Sequence, residues 1–205
     1  GKRFGVEYTV FDNHDGELMP TLANRLKIIR EIRKRNADVV IAPRPNDYHP
    51  DHRYTGVLVQ DAAYMIEVPN VAPDVPPLRK TPVFLYGEDH FQRPNPFRPD
   101  IVVDITTTYA KKILAIDAHE SQFYEWMPWI GRYEKDVPTG KEERLQWLMK
   151  LYDRPMKANI RAAMVKWYGA AKAAKAKHAE AFEICEYGAQ PNEAEIRRLF
   201  PLLIK

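Results

Sequence analysis

A short apolar run followed by a turn rich in histidine and aspartate constrains this chain more than any other feature. The run is Asp38-Val-Val-Ile-Ala42, and the turn, Arg44-Pro-Asn-Asp-Tyr-His-Pro-Asp-His-Arg53, opens a helical stretch from Tyr54 to Val68. An unbroken apolar run is typical of a strand that is buried on both faces of a parallel sheet. The polar turn therefore follows the carboxyl end of such a strand, where open α/β sheets bind their ligands. This placement favours a metal-assisted hydrolase.

The rest of the chain alternates strands with helices, as a parallel sheet with crossover helices requires. Further predicted elements are strands at Gly5–Asp12, Pro82–Tyr86 and Asp100–Ile105 and helices at Thr21–Arg35, Thr106–Trp126, Lys141–Tyr152 and Met156 to about Ala176. Residues Ala179–Tyr187 are compatible with a returning edge strand, and Pro191 begins a short final helix. We expect one α/β domain over residues 1–205, a Rossmann-like three-layer parallel sheet with flanking helices, plus a mostly helical C-terminal region at about 140–205.

Composition argues against several classes of partner. Charged residues make up 29% of the chain, and a net charge of +3 is too small to indicate nucleic acid by itself. Six basic side chains share one predicted helix: Arg25, Lys27, Arg30, Arg33, Lys34 and Arg35. We interpret them as the solvated face of an amphipathic helix, and a nucleic-acid function would rest on them alone. No apolar run approaches the ~20 residues of a membrane span. Because Cys185 is the single cysteine, we expect a reducing, cytoplasmic location.

The histidine-containing turn has the chemistry of a hydrolytic site. Pro50 suits the first position of a helix, which places His52 in the first helical turn, where the positive helix end keeps imidazole neutral and free to bind a metal. His49 precedes a proline, so it is biased to an extended conformation and can act as a proton donor with Asp51 to orient it. A catalytic zinc needs about three protein ligands, and this turn offers one. The alternative is that these side chains only cap the helix.

Segments on both sides of this turn form a wider pattern. They are Phe4-Gly-Val-Glu-Tyr8, Asp15-Gly16, Ile28-Ile-Arg-Glu-Ile-Arg33, Ala37-Asp-Val-Val-Ile41, Pro99-Asp-Ile-Val-Val-Asp-Ile105, Lys111-Lys-Ile113 and Ala118-His-Glu-Ser-Gln-Phe123, with Ala179-Glu-Ala-Phe182 as a late element. Together they resemble the PIG-L/LmbE-like zinc-dependent N-deacetylases. The resemblance implies hydrolysis of an N-acetyl group on an amino sugar, such as N-acetylglucosamine, by a zinc-bound water. It assigns zinc binding to His52, proton donation to His49 and the orientation of that donor to Asp51.

The resemblance fails at one place. Enzymes of this kind carry a first motif, His-Pro-Asp-Asp, that supplies two further zinc ligands and the aspartate general base, and this sequence lacks it. His14-Asp15 is superficially similar, but it corresponds to the Asp-Gly turn of the family and is interpreted as a turn. We therefore expect the chain to start inside the fold, to leave a sheet edge unpaired, and to bind zinc poorly and catalyse little alone.

Five other side chains are candidates for substrate contact. Arg44 and Asp47 lie in the same loop as the histidines and could bind sugar hydroxyls, although turn formation explains them equally well. His119 is a further candidate, with a structural role as the alternative. Trp126 and Trp129 could stack on a sugar ring, but such pairs more often belong to a core or to a contact between copies of a homo-oligomer.

Other functional classes make weaker demands on this sequence. A different metal hydrolase, such as a phosphoesterase, would need a second cluster of acids or histidines to hold two metals, and the sequence offers none. A non-catalytic binding module could keep the fold after losing the metal site. The expected partner is a small N-acetylated sugar, with no nucleic acid and no membrane.

Overall fold

The computed structural model of the protein describes residues 1–203, in which a four-stranded mixed sheet lies between helices. The strands are β1 (Val39–Ala42), β2 (Val83–Gly87), β3 (Ile101–Asp104) and β4 (Ala179–Gly188). The α-helices are α1 (Leu22–Lys34), α2 (Pro50–Met65), α3 (Tyr109–Asp117), α4 (Met127–Gly131), α5 (Lys141–Tyr152), α6 (Ala158–Tyr168), α7 (Ala170–Lys175) and α8 (Glu193–Leu199). A π-helical turn covers Ser121–Trp126, and 3₁₀ turns cover Glu134–Asp136 and Pro201–Leu203. Over these residues, no helix combines the length and the apolar character needed to cross a bilayer.

The strand order is β1-β2-β4-β3. The sequence predicts a parallel sheet, but the observed sheet is mixed. Strands β1 and β2 are parallel, whereas β4 runs antiparallel to both of its neighbours, β2 and β3. Three strands therefore point the same way, and their carboxyl ends share one edge of the sheet. The expected returning strand is real, but it is central rather than an edge strand, and it interrupts the predicted helical C-terminal region.

Helices cover both faces of the sheet, as expected for a three-layer arrangement. Alternate residues of β2 point to opposite faces because a strand is pleated. Leu85 packs in one core with Met164 and Trp167 of α6, and all three are almost fully buried. Phe84 packs in the other core with Ile29 of α1 and with residues of α2. The second core fixes α2, and with it the turn that opens this helix, against the sheet.

The N-terminal segment departs most from prediction. Residues 5–12 form no strand, although their apolar residues alternate, and Val6, Tyr8 and Val10 remain 59%, 68% and 79% exposed. Strand β1 has β2 as its one neighbour in the described sheet. It is therefore an edge strand, and because its Ile41 is 52% exposed, the prediction that it is buried on both faces is wrong.

Two predicted long helices are each broken. The first, expected at Thr106–Trp126, separates into α3 and the π-helical turn at residues 118–120. The second ends at Tyr168 because Gly169 takes a positive φ of 77°, a conformation that favours glycine, and α7 starts after it. The helices α1 and α5 agree with prediction to within one residue at each end.

Candidate metal and acid–base site

The turn between β1 and α2 folds through its own hydrogen bonds. The Asp47 carboxylate accepts a hydrogen bond from the backbone N–H of His49, 3.0 Å away, as in the turns that Asp commonly initiates. His49 is the N-cap of α2, with the extended backbone expected before Pro50, and Pro50 occupies the first turn of the helix. The predicted strand, turn and helix are therefore confirmed, with Pro50 at the first helical position as predicted, although α2 ends at Met65 rather than at Val68.

The rings of His49 and His52 lie side by side, with their centroids 4.9 Å apart. Nδ1 of His52 is 3.1 Å from Oδ1 of Asp47, a carboxylate that can only accept, so we assign the proton of the neutral ring to Nδ1 and the lone pair to Nε2. Nδ1 of His49 instead accepts the backbone N–H of Asp51 at 3.2 Å, which puts the proton of the neutral ring on Nε2. The two rings thus hold opposite tautomers.

These tautomers suit different chemistry. A metal-ligating histidine commonly donates its second ring N–H to a carboxylate, which orients the ring and raises its basicity. His52 has this arrangement with Asp47, and its side chain is 49% exposed. His49 cannot offer a lone pair from Nε2 without breaking its bond to the helix N-terminus. The donor atoms therefore fit a zinc ion at His52 and an N–H donor at His49.

His49 belongs to a cluster of three side chains that could bind a metal. Ligand atoms of Asp15, His49 and Asp51 lie within 4.8 Å of one another, a separation that could hold a metal ion. The Asp51 carboxylate, however, accepts backbone N–H bonds from Gly16 at 2.8 Å and Leu18 at 3.2 Å. With Nε2 of His49 protonated as well, these atoms are better matched to holding the 14–17 turn against α2 than to binding a cation.

Asp15 is the carboxylate nearest to the free side of His49. Its Oδ1 is 3.6 Å from Nε2 of His49, while Asp51 reaches the same ring through its backbone amide. The hydrogen bond from Glu17 to His14 confirms the predicted turn at this position. Local composition explains the turn but not its contact with His49, since the two segments are more than 30 residues apart.

Arg44 lies in the same loop as the histidines but is buried. Its guanidinium donates to the two oxygens of Asp89 at 2.6 and 2.5 Å, and to the carbonyls of Phe91 and Asn95. The hydrogen bond with Asp89, more than any other influence, raises the pKa of Arg44. Arg44 therefore ties the loop after β1 to the loop after β2, and its donors are occupied by protein rather than directed to a substrate.

The other predicted contacts are distributed differently. Asp47 is engaged with both His49 and His52, which gives it a positioning role that the sequence did not suggest. His119 is exposed, and its ring lies against Tyr8 and Phe123.

The paired tryptophans and a neighbouring tyrosine are open to solvent. Trp126 and Trp129 are about half exposed and stack on each other, with 5.4 Å between ring centroids, so they do not lie in a core of the described residues. Stacking on a sugar ring and contact between copies of the chain both stay predictions. The sequence analysis assigns no role in the site to Tyr48. It is 73% exposed, with its ring edge-on to His49 and His52 at 5.9 and 5.8 Å, and so forms one wall beside the two histidines.

Comparison with known proteins connects this chain with a deacetylase. It is 33% identical over 129 residues to the diacetylchitobiose deacetylase of Thermococcus kodakarensis, a match that covers 58% of this chain and 46% of that enzyme. The chain thus spans about half the length of the curated relative it matches. No family model matches the chain.

Solved structures share the fold at lower identity. The N,N'-diacetylchitobiose deacetylase of Pyrococcus horikoshii aligns with 84% of this chain and 54% of its own, with a TM-score of 0.53 and 24% identity. A conserved protein of Thermus thermophilus aligns with 86% of this chain and 64% of its own chain, with a TM-score of 0.51 and 20% identity. The 4-carboxy-2-hydroxymuconate hydratase GalB of Pseudomonas putida aligns with 84% of this chain and 62% of its own chain, with a TM-score of 0.55 and 17% identity. Because one fold serves different reactions, these likenesses define an α/β fold and not an activity.

Proposed function

We propose that this chain is part of a zinc-dependent N-deacetylase of the PIG-L/LmbE-like family, which removes an N-acetyl group from an amino sugar of the N-acetylglucosamine type. The observation that carries the proposal is the hydrogen bond of 3.1 Å from His52 to Asp47, which leaves Nε2 of His52 as a free base at the end of a sheet strand. The 33% identity over 129 residues to a diacetylchitobiose deacetylase supports the reaction class.

The two histidines divide the work. His52 would hold the zinc, and a zinc ion there would polarise the amide carbonyl and lower the pKa of water. His49 presents its Nε2–H beside it, where the neutral ring would donate a hydrogen bond to the carbonyl oxygen as negative charge builds on that oxygen. To give a proton to the leaving nitrogen, the ring must first take up a second proton at Nδ1, which replaces the hydrogen bond from the N–H of Asp51. The amide of Asp51 holds the neutral ring of His49 in place, and the carboxylate of Asp15 faces Nε2 at 3.6 Å on the open side of the ring.

The number of ligands requires a contribution from outside this sequence. A catalytic zinc takes about three protein ligands and leaves one position open. Over residues 1–203 the site has one histidine in a suitable tautomer, so we propose that a His-Pro-Asp-Asp segment outside these 205 residues supplies the other ligands and the general base. The open edge of β1, beside which the turn begins, is compatible with such a segment.

Zinc binding by variants of the purified chain tests the assignment. We expect weak binding by isothermal titration, abolished in His52→Ala and weakened about tenfold in Asp47→Asn, as is typical for loss of a partner that orients a ligand. His49→Ala should retain zinc, and so should the control His90→Ala. Loss of zinc in His49→Ala with retention in His52→Ala would contradict the proposed tautomers.

A non-catalytic module of the same fold is the second candidate, since a single suitable histidine is also what a lost site would leave. Acetate release from N,N'-diacetylchitobiose by the protein supplied with the His-Pro-Asp-Asp segment separates the two. Activity that disappears in His49→Ala while zinc stays bound supports the enzyme. A folded protein that binds no zinc and releases no acetate from N-acetylated amino sugars would favour the binding module.

A further inference from the structure

A recess that does not include His49 or His52 lies at the same edge of the sheet as these histidines. It has a volume of about 300 Å³, and it opens where β2 and β3 end and β4 begins, at Glu88, Ile105 and Ala179. This size is at the lower end of small-molecule pockets. The carboxyl ends of sheet strands are the common location of ligands in α/β folds, and the proposed deacetylase chemistry makes no use of this recess.

Cations dominate the rim of the recess. They are Lys112 of α3, Arg154 and Lys157 in the segment before α6, and Lys177 before β4. Three acids face this rim: Lys112 pairs with Glu180, Lys157 pairs with Glu88 at 2.8 Å, and Asp153 lies 3.7 Å from His178. Arg154 and Lys177 have no carboxylate within ion-pair distance among residues 1–203, so two cations with free donors remain on one rim.

The aromatic and apolar walls fix this rim. The guanidinium of Arg154 lies 5.9 Å above the ring of Tyr152, an arrangement that orients its planar fork. His178 is stacked on Tyr109 with 3.7 Å between centroids and 6° between planes. The backbone amides of Lys177 and His178 both donate to the hydroxyl of Thr106, which holds Lys177 at the mouth.

We propose that this recess binds the phosphate of a small phosphomonoester such as a sugar phosphate. A phosphate dianion matches two unpaired cations, and an arginine fork binds phosphate oxygens in pairs. The apolar floor, to which Ile105, Met156 and Ile160 contribute, would receive the carbon skeleton. A carboxylate offers one charge and two oxygens, so it should bind the same rim more weakly than phosphate.

An amide NMR titration with inorganic phosphate, glucose 6-phosphate, glucose and acetate tests this site without reference to deacetylase activity. We expect shifts centred on Tyr109, Lys177 and His178, with glucose 6-phosphate binding tighter than phosphate, phosphate tighter than acetate, and glucose not binding. The double variant Arg154→Gln/Lys177→Gln should weaken glucose 6-phosphate by about tenfold, as expected for lost charge-assisted hydrogen bonds.

The control removes the same two charges elsewhere on the surface. Arg79 and Lys135 are exposed and lie outside the recess, so Arg79→Gln/Lys135→Gln should change the affinity less than about twofold if binding is local rather than a general charge effect. Thermal unfolding of both double variants checks that they fold. Equal weakening by the two double variants, or shifts spread over the surface, would overturn the proposal, as would acetate binding as tightly as phosphate.

Discussion

Arg33 gives the sharpest stability prediction. The sequence analysis places it on a solvated helix face, but in the structure it is buried and hydrogen-bonds to the segment that follows α2. It is 4% exposed, and all its hydrogen bonds in the described structure go to backbone carbonyls. The acceptors belong to the end of α2 and the loop that follows it: Met65, Ile66, Val68, Val71, Ala72 and Val75, at 2.6–3.0 Å. Burial lowers the pKa of Arg33, with Asp74 acting in the opposite direction.

Replacing Arg33 with Met keeps an unbranched apolar stem but removes every donor. The carbonyls at the end of α2 would then be buried without partners or exposed to water by local opening. A hydrogen bond to a charged group contributes about 1.5–3 kcal/mol, and such losses are not additive, so we expect Arg33→Met to lower the free energy of unfolding by about 3–5 kcal/mol. For a chain of this length that corresponds to a fall in Tm of about 10 °C.

Urea denaturation followed by circular dichroism measures this loss, with Arg35→Met as the matched control. Arg35 forms ion pairs with Glu7 and Glu31 on the surface, so its replacement should cost less than about 1 kcal/mol. Arg33→Lys keeps the charge with fewer donors and should fall between the two. If the free energies of unfolding of Arg33→Met and the wild type differ by less than about 1 kcal/mol, the carbonyls find other partners at little cost and the reasoning is wrong.

Two further predictions concern packing and pH. A Cβ at Gly56 would lie 2.7 Å from a backbone oxygen of the loop after β1, so Gly56→Ala should lower the free energy of unfolding by about 1–3 kcal/mol, measured by urea denaturation. A Cβ at Gly87 would meet no atom within 4 Å, so the control Gly87→Ala should not cause this loss. Burial raises the pKa of Asp117, but hydrogen bonds from Tyr124 and Arg3 outweigh burial and leave the pKa below its ordinary value. This contribution to stability is present above a pH of about 4 and is lost as the pH falls through the lowered pKa. The stability gap between wild type and Asp117→Asn should therefore narrow below about pH 4, and a gap constant with pH would contradict it.

Local patterns predicted the elements whose determinants are local. Helix α1 follows from its apolar spacing and the Thr21 cap, whose hydroxyl accepts the N–H of Asn24. The final helix, predicted from Pro191, begins two residues later at Glu193, where Asn192 and Glu195 form a capping box. In both cases the residues that decide the boundary lie within one turn of it, so they can be read without knowing the tertiary structure.

Long-range pairing decided what local patterns could not. The segment Ala179–Gly188 has the composition of a strand, but its insertion between β2 and β3 depends on partners that are about 75 to 105 residues away in sequence. The segment 5–12 has the alternation of a strand but no sheet partner in the described structure. Strand propensity reflects fit to a neighbouring surface, so a pattern alone does not determine pairing. The same limit applies to Arg33, whose acceptors are 32–42 residues away.

The candidate site combines both situations. The tautomers of His49 and His52 follow from bonds to Asp51 and Asp47, at most five residues away, so the turn sets both ring orientations by itself. A turn of this kind keeps one histidine as a free base and the other as an N–H donor even when the remaining ligands are absent. Affinity for zinc is different, because it needs about three protein ligands that converge on one ion. The acid–base geometry is therefore a local property of this sequence, whereas the complete metal site depends on what is brought to the edge of β1.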